Sequence, residues 1–180
     1  MHGILAAVFE PLSIDPVDEA GRQWRRRWGT ESVPPLAAVA SILRIHQILI
    51  ARLNDALAPF ELTMARYEAL MLLFLSRRGT LPLAKLGARL QANPTSAASL
   101  AEALEQRGYA TRAPDPRDAH ATLVTITERG RQVAAEATAL LNKQQFGTAP
   151  LRDQELVALT EILRRVRAGA GDAASEPVSA

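Results

Sequence analysis

Apolar residues recur at helical spacing along most of this chain, and the pattern predicts a mainly α-helical protein. The longest predicted helix starts at Pro34-Pro35, ends before Pro59 and has a wide apolar face. The next predicted helix, Thr63 to Ser76, contains the run ALMLLFL, so we expect it to be central and buried. Further helices are predicted over about 82–90 and 93–108, from about Thr127 onward, and over about 151–168.

A different pattern, alternating with period two, appears between residues 109 and 126. Segments Tyr109 to Arg112 and Ala121 to Ile126 are predicted antiparallel strands, and the Pro and Asp residues between them are typical of a turn. Thr80-Leu81 is predicted as a strand stub. Two short helices joined by a tight Gln91-Ala92 turn and followed by a hairpin indicate a winged helix-turn-helix domain.

The two ends of the chain differ from this central part. Residues 1–34 are predicted to be an N-terminal extension whose helix is capped by Asp15-Pro16 and stops at Gly29. Residues 35–168 would form the main domain, and residues 169–180 a disordered tail. Trp24 and Trp28 lie among arginines in the extension helix. We favour a docking helix whose tryptophans cover an apolar groove over a small anion pocket with an aromatic wall.

Composition narrows the class of protein. The 180-residue chain is 48% hydrophobic, which is enough for a core, and has a net charge of +2 with a pI near 9.5. Arginine, whose rigid fork matches phosphate, supplies nearly all of the positive charge. There is no cysteine, so disulfides and thiolate zinc sites are excluded. The apolar start is a poor signal peptide and the longest apolar run, Ala69 to Leu75, is too short for a bilayer, so we expect a cytoplasmic, non-membrane protein.

Signals of catalysis are missing from the sequence. We find no paired carboxylates in a plausible cleft, no glycine-rich phosphate loop and no Ser-His-Asp order. The spacing of His2, His46 and His120 does not match a metal site. The sequence therefore predicts a protein that is not an enzyme and needs no cofactor or metal.

The chemistry that the sequence does offer lies in the helix from Asn93 to Gly108. Its apolar positions repeat at helical spacing and would face the core, which leaves short hydroxyl side chains pointing outward near the helix N-terminus. Such residues can approach base edges, and the helix N-terminus favours phosphate. An arginine at the hairpin tip can enter the minor groove. The predicted contacts to double-stranded DNA are Pro94, Thr95, Ser96, Ser99, Arg112, Arg117 and His120.

At this point the chain resembles the MarR family of bacterial winged-helix regulators, over roughly residues 36 to 168. The segments that carry the resemblance are LTMARYEAL, LPLAKLGARL, NPTSAASLAEALEQRGYATR and DPRDAHATLVTITERGR. The resemblance implies a homodimer with intertwined terminal helices, from Leu36 and from Leu151. It also implies a palindromic operator with half-sites roughly 34 Å apart, and a small aromatic ligand bound between the dimer helices and the DNA-binding lobe. The expected ligand contacts are His46, Arg66 and Tyr67, with Trp24 and Trp28 if the extension folds over the pocket.

The chain also departs from the family pattern. Ala103 stands where the recognition helix usually has an arginine, and Ala119 and His120 stand where the wing usually has arginines. We expect Arg117 to carry more of the DNA contact as a result. The favoured function is a repressor released by a ligand, although the residues do not separate repressor from activator. The alternative is a helical dimeric adaptor for protein partners with a degenerate winged helix.

Overall fold

The computed structural model describes residues 12–172, and these form seven α-helices and three β-strands. The helices are α1 (Pro16–Trp28), α2 (Val33–Leu57), α3 (Met64–Phe74), α4 (Leu83–Arg89), α5 (Pro94–Gln106), α6 (Glu128–Lys143) and α7 (Asp153–Gly169). The strands are β1 (Thr80–Pro82), β2 (Ala110–Asp115) and β3 (Asp118–Ile126). Short 3-10 helices follow α2 (Ala58–Phe60) and α6 (Gln145–Gly147). The start of the chain and most of the predicted disordered tail lie outside the described residues.

The strands form one antiparallel sheet in the order β1-β3-β2. Both strands of the hairpin extend further toward the tip than predicted, because Pro114 pairs with Thr122 and Asp115 with Asp118. Proline is tolerated there because β2 is an edge strand, where a missing N–H leaves no partner unsatisfied. The predicted strand stub is confirmed, since Leu81 pairs with Val124.

Four helices begin with side-chain caps that the sequence indicates. The carboxylate of Asp15 accepts the N–H of Val17 at 2.8 Å, and the Asn93 side chain accepts the N–H of Ser96 at 2.8 Å. Thr63 and Thr127 cap α3 and α6 in the same way. Each cap satisfies an N–H group that has no partner inside its helix, so these residues fix where the helices start.

The core lies between α3, the helix-turn-helix and α6. Helix α3 is central as predicted, and fully buried leucines from the surrounding elements pack around it. The largest fully buried side chains are Leu57, Leu70, Leu73, Leu86, Leu104, Val124 and Leu141.

We call α3 to α6 together with the sheet the DNA-binding lobe. Tyr109 joins several of its elements at one point. Its hydroxyl donates to the carbonyl of Phe60 at 3.0 Å, and its own carbonyl accepts the N–H of Thr127 at 3.0 Å. The guanidinium of Arg129 lies 5.4 Å from the centre of the Tyr109 ring. Gly130 is required beside it, since a Cβ there would collide with the Tyr109 carbonyl. The end of α2, the hairpin and the start of α6 are therefore held together.

The terminal helices, α2 and α7, bury far fewer residues than the helices around the core. In α2 only Leu53 and Leu57 are buried, and α7 has no buried residue. Within the described chain α2 packs against α1 at its start and against the core at its C-terminal end, and the apolar face between them is largely exposed. The exposed apolar residues on these two helices are Val39, Ile42, Leu43, Ile45, Val157, Leu159, Ile162 and Val166.

Helix α2 also bears on the expectation of no membrane span. Together with its 3-10 extension it covers Val33–Phe60, with a mean hydropathy of 1.6 in its most apolar window, and is long and apolar enough to cross a bilayer. The sequence prediction considered only uninterrupted apolar runs and missed this. One such helix is weak evidence for a membrane span, because helices of soluble proteins pass the same test of length and composition.

Candidate nucleic-acid interface

Helix α5 presents one face to the core and the other to solvent, as its spacing predicts. Ala97, Ala101 and Leu104 are at most 1% exposed. On the opposite face the exposed residues are Thr95, Ser96, Ser99 and Glu102. Because Asn93 caps the helix, the three hydroxyls are not needed as caps, and they make no hydrogen bond to other described residues. Exposed hydroxyls that are not already hydrogen-bonded, near the N-terminus of the second helix, are suited to contact base edges in the major groove.

The turn between α4 and α5 places α5 close to α4. Gln91 adopts a left-handed backbone conformation with φ of 51°, and the N–H of Ala92 donates to the carbonyl of Gly87 at 2.9 Å. A Cβ at Gly87 would lie 3.0 Å from the Cβ of Ala97, so glycine allows the close approach of the two helices. The sequence prediction located this turn but gave no reason for Gly87.

The wing tip is shaped by its two aspartates. The carboxylate of Asp115 accepts the N–H of Arg117 at 2.9 Å, and that of Asp118 accepts the N–H of His120 at 3.0 Å. Both aspartates therefore bind backbone, and neither forms an ion pair with the Arg117 guanidinium. Arg117 and His120 are exposed, so their side chains are available to a ligand outside the chain.

His120 also lies close to the start of α5. A cleft of about 300 Å³ separates the wing from the helix-turn-helix, and its wall includes His120, Thr122, Ala84 and Pro94. Two of the predicted DNA contacts, Pro94 at the N-terminus of α5 and His120 in the wing, therefore lie on the two sides of one cleft.

Arg112 is committed to a different interaction. Its Nε and Nη2 bind Oε2 of Glu105 at 2.8 and 2.7 Å, and its backbone N–H donates to Oε1 at 2.9 Å. The Arg112 side chain, followed by its backbone N–H, holds the pKa of Glu105 below its usual range. The pair ties β2 to α5. Arg112 is thus placed to orient the wing against the recognition helix, and its predicted contact with DNA stays a prediction.

Ala103, where an arginine was expected, is partly buried near the end of α5. Its carbonyl accepts a hydrogen bond from Nη1 of Arg107 at 2.9 Å. The arginine nearest to this position is therefore turned back onto its own helix and does not replace the missing side chain.

The five predicted ligand contacts do not form one pocket within the described chain. Tyr67 is buried, with its hydroxyl 2.9 Å from that of Thr138, and it lines a cavity of about 820 Å³ between α3, α4 and the end of α7. None of the other four lines that cavity. Arg66 is partly buried on α3, and His46 is exposed on α2.

The tryptophans only partly fit the predicted docking role. Their ring centroids are 4.3 Å apart, and Trp24 Nε1 donates to Ser32 Oγ at 3.0 Å. Trp24 is half-buried as α1 packs on the start of α2, but Trp28 is 63% exposed. Within residues 12–172 there is no group of three or more His, Asp or Glu side chains that could hold a metal ion.

A helix-turn-helix with hydroxyls on the exposed face of its second helix, followed by a wing with an exposed arginine, defines a winged-helix DNA-binding protein. The MarR family model matches residues 62–122, from the start of α3 into β3. Sco5413, a MarR family transcriptional regulator from Streptomyces coelicolor, is 40% identical; the match covers 78% of this chain and 97% of that one, with a TM-score of 0.73. The chain belongs to the MarR family, and is a transcription regulator with a DNA-binding winged helix.

Two more distant structures share the fold. A mutant of MarR from E. coli complexed with operator DNA is 21% identical, with a TM-score of 0.65 over 79% of this chain and 96% of that one. CouR from Rhodococcus jostii bound to p-coumaroyl-CoA is 22% identical, with a TM-score of 0.61 over 77% of this chain and 92% of that one. A search of curated proteins gives no match.

Proposed function

We propose that the protein is a homodimeric, sequence-specific repressor that binds a palindromic operator and is released by a small aromatic ligand. The observation that carries the DNA-binding part is the exposed hydroxyl face of α5, whose first residue, Pro94, shares a cleft with His120 of the wing. The wing tip adds Arg117, which is exposed and has no acidic partner among the described residues. In this proposal Thr95, Ser96 and Ser99 contact bases in the major groove, and Arg117 enters the minor groove. We further propose that it acts in the cytoplasm and is not an enzyme.

The proposed dimer is supported by the exposed apolar faces of α2 and α7. Apolar patches of this kind on a soluble protein are typical of an interface with another chain. A two-fold dimer would place its recognition helices in two half-sites roughly one helical turn apart, which is about 34 Å. The E. coli MarR structure with operator DNA supports the proposed binding to an operator by analogy.

The proposed ligand site is the cavity lined by Tyr67. Its volume, about 820 Å³, is sufficient for an aromatic acid, and Met71, Leu72 and Phe146 provide an apolar wall. CouR, which was solved with p-coumaroyl-CoA, supports an aromatic acyl group as the first class to test. His46 lies on α2, which would meet the partner, so it would contribute to a site only in the dimer. Trp24 and Trp28 lie on α1, which packs on the start of α2.

A gel shift against the DNA upstream of the protein's own gene tests the function at physiological salt. We expect sequence-preferring binding that weakens as salt rises. Arg117→Ala should weaken binding to all sequences. Ser96→Ala or Ser99→Ala should instead change which sequence is preferred, with each lost base contact costing about 1–3 kcal/mol of binding free energy on the preferred site. If both kinds of variant lose affinity equally on every sequence, the proposed division between groove contacts is wrong.

The adaptor is retained as a second candidate because Ala103 and the Arg112–Glu105 pair reduce the number of cations available to DNA. A stoichiometric protein partner recovered without DNA, together with no binding in the gel shift, would favour it.

A thermal-shift screen of aromatic acids tests the proposed ligand site. An acid that binds the native state should raise the melting temperature of the protein.

A further inference from the structure

A second basic surface lies beside the wing and shares only Arg117 with the predicted DNA contacts. It is a cleft of about 720 Å³ between the end of α3, helix α4 and the wing tip. Five exposed cationic side chains line it, and we call it the basic cleft. They are Arg77, Arg78, Lys85, Arg89 and Arg117.

The first two cations are held in place by a well-ordered turn after α3. The N–H of Gly79 donates to the carbonyl of Ser76 at 3.1 Å, and the carbonyl of Gly79 accepts the N–H of Ile126 at 2.8 Å. Gly79 has a φ of 68°, and a Cβ there would lie 2.9 Å from the Ile126 side chain. The turn is thus fastened to β3, and Arg77 and Arg78 project from a fixed backbone.

The other cations come from α4 and the wing. Lys85 and Arg89 are four residues apart and share one face of α4, while Leu86 and Gly87 are buried on the other. Arg117 lies at the wing tip, where it belongs both to the proposed minor-groove contact and to the basic cleft. Asp115 also lines the cleft, but its carboxylate already accepts the N–H of Arg117.

These cations lack acidic partners inside the described chain. None of the five is in a salt bridge there, in contrast to Arg22 and Arg152, each of which is paired with a glutamate less than 3 Å away. Five cations at a cleft whose one lining carboxylate, Asp115, is bound to backbone repel one another, and an external anion would relieve that repulsion.

We propose that the basic cleft binds backbone phosphates of the DNA just outside each half-site, which rests on the proposed operator binding. The cleft begins at the wing tip, so DNA that meets Arg117 continues directly past α4 and the Arg77-Arg78 turn. Its cations come from three separate segments, as suits a run of successive phosphates. A site for one small phosphate would rather use the backbone N–H groups of a single loop. Phosphate contacts of this kind position the protein and carry no sequence information.

The test compares two duplexes, using a footprint to locate the half-sites. One duplex ends at the outer edges of the half-sites, and the other continues for about ten base pairs, one helical turn, on each side. Fluorescence anisotropy gives the affinity of full-length wild type and of Arg77→Gln/Arg78→Gln between 50 and 200 mM salt. Each lost phosphate contact lowers the slope of log affinity against log salt by about 0.9, so the double variant should lose about 1.8 on the long duplex. The affinity gap to wild type should then narrow about 12-fold across this salt range.

Arg25→Gln/Arg26→Gln is the matched control, because it removes the same charge from exposed positions on α1, outside the cleft. It should behave as wild type on both duplexes. Lys85→Gln/Arg89→Gln, on a different element, should reproduce the Arg77/Arg78 result, which separates loss of contact from loss of folding. On the short duplex all variants should match wild type.

A wild-type slope for both cleft variants on the long duplex would overturn the proposal, and so would an equal loss in the α1 control. Stabilisation of wild type by inorganic pyrophosphate, with slopes unchanged in the variants, would also overturn it in favour of a small phosphorylated ligand. Failure of wild type on both duplexes would instead refute the operator binding on which the cleft depends.

Discussion

The DNA-binding lobe and the terminal helices have nearly opposite packing, although both are rich in apolar residues. In the lobe, leucines such as Leu70 and Leu104 are completely buried, and Tyr109 fastens the elements to one another. On α7 no residue is buried, and Val157 and Val166 are 70% and 61% exposed. The difference indicates that a single chain completes the core of the lobe, and the proposed dimer would cover the apolar faces that the terminal helices leave exposed.

The largest expected effect is on the free energy of unfolding, from a substitution in the core of the DNA-binding lobe. Leu104→Ala removes a fully buried side chain and leaves a cavity among α3, α5 and the sheet, so we expect a loss of about 2–5 kcal/mol in the free energy of unfolding. Gln154→Ala, at an exposed polar position of α7, is the control and should change it by less than about 0.5 kcal/mol. Urea denaturation measures both, and equal losses would contradict the contrast between the two regions.

The second-largest expected effect is on the dissociation constant of the proposed dimer. Ile162→Asp places a carboxylate on the exposed apolar face of α7, which would face the partner in the proposed dimer. Burial of an isoleucine is worth about 1.5–3 kcal/mol, so the dimer dissociation constant should rise on the order of tenfold to a hundredfold. Sedimentation equilibrium measures this constant.

Gln154→Asp, which adds the same charge at an exposed polar position of α7, should leave the dissociation constant near that of wild type. A dimer that tolerates Ile162→Asp as well as the control would show that this face of α7 is not the interface.

The smallest effect concerns acid stability within the lobe. Arg112 lowers the pKa of Glu105 in the folded state, so the pair stabilises the fold above the unfolded pKa of about 4.3 and loses this effect as pH falls through the folded pKa. Glu105→Gln should therefore make unfolding less dependent on pH from about pH 5 downward. Thermal unfolding at several pH values checks this, with Glu102→Gln on the same helix as the control. Identical profiles for Glu105→Gln and wild type would contradict the role of the pair.

Local patterns predicted the elements of the lobe well. The spacing of apolar residues in α5 correctly predicted its buried face, because that spacing depends only on residues close together in the sequence. The Glu105–Arg112 pair was not predicted, since it joins a helix to a strand across a turn and no periodicity relates the two. Likewise, the cations of the basic cleft are unremarkable in the sequence until the fold brings three segments together.

The exposure of the terminal helices could not be predicted from the sequence either. A helix with a wide apolar face has the same pattern whether its partner is the same chain, a second copy or a bilayer. A similar case is Trp28 on α1, because the favoured docking helix would have its tryptophans cover an apolar groove and the described chain leaves Trp28 63% exposed.

The cap at Asn93 has a consequence for how such a protein can change over generations. Because the side chain of Asn93 caps α5, the hydroxyl side chains at positions 95, 96 and 99 are not needed to stabilise the start of the helix. Substitutions there can accumulate without endangering the fold. A duplicated copy of the gene could thus acquire a new DNA target through a few surface changes while every buried residue stays the same.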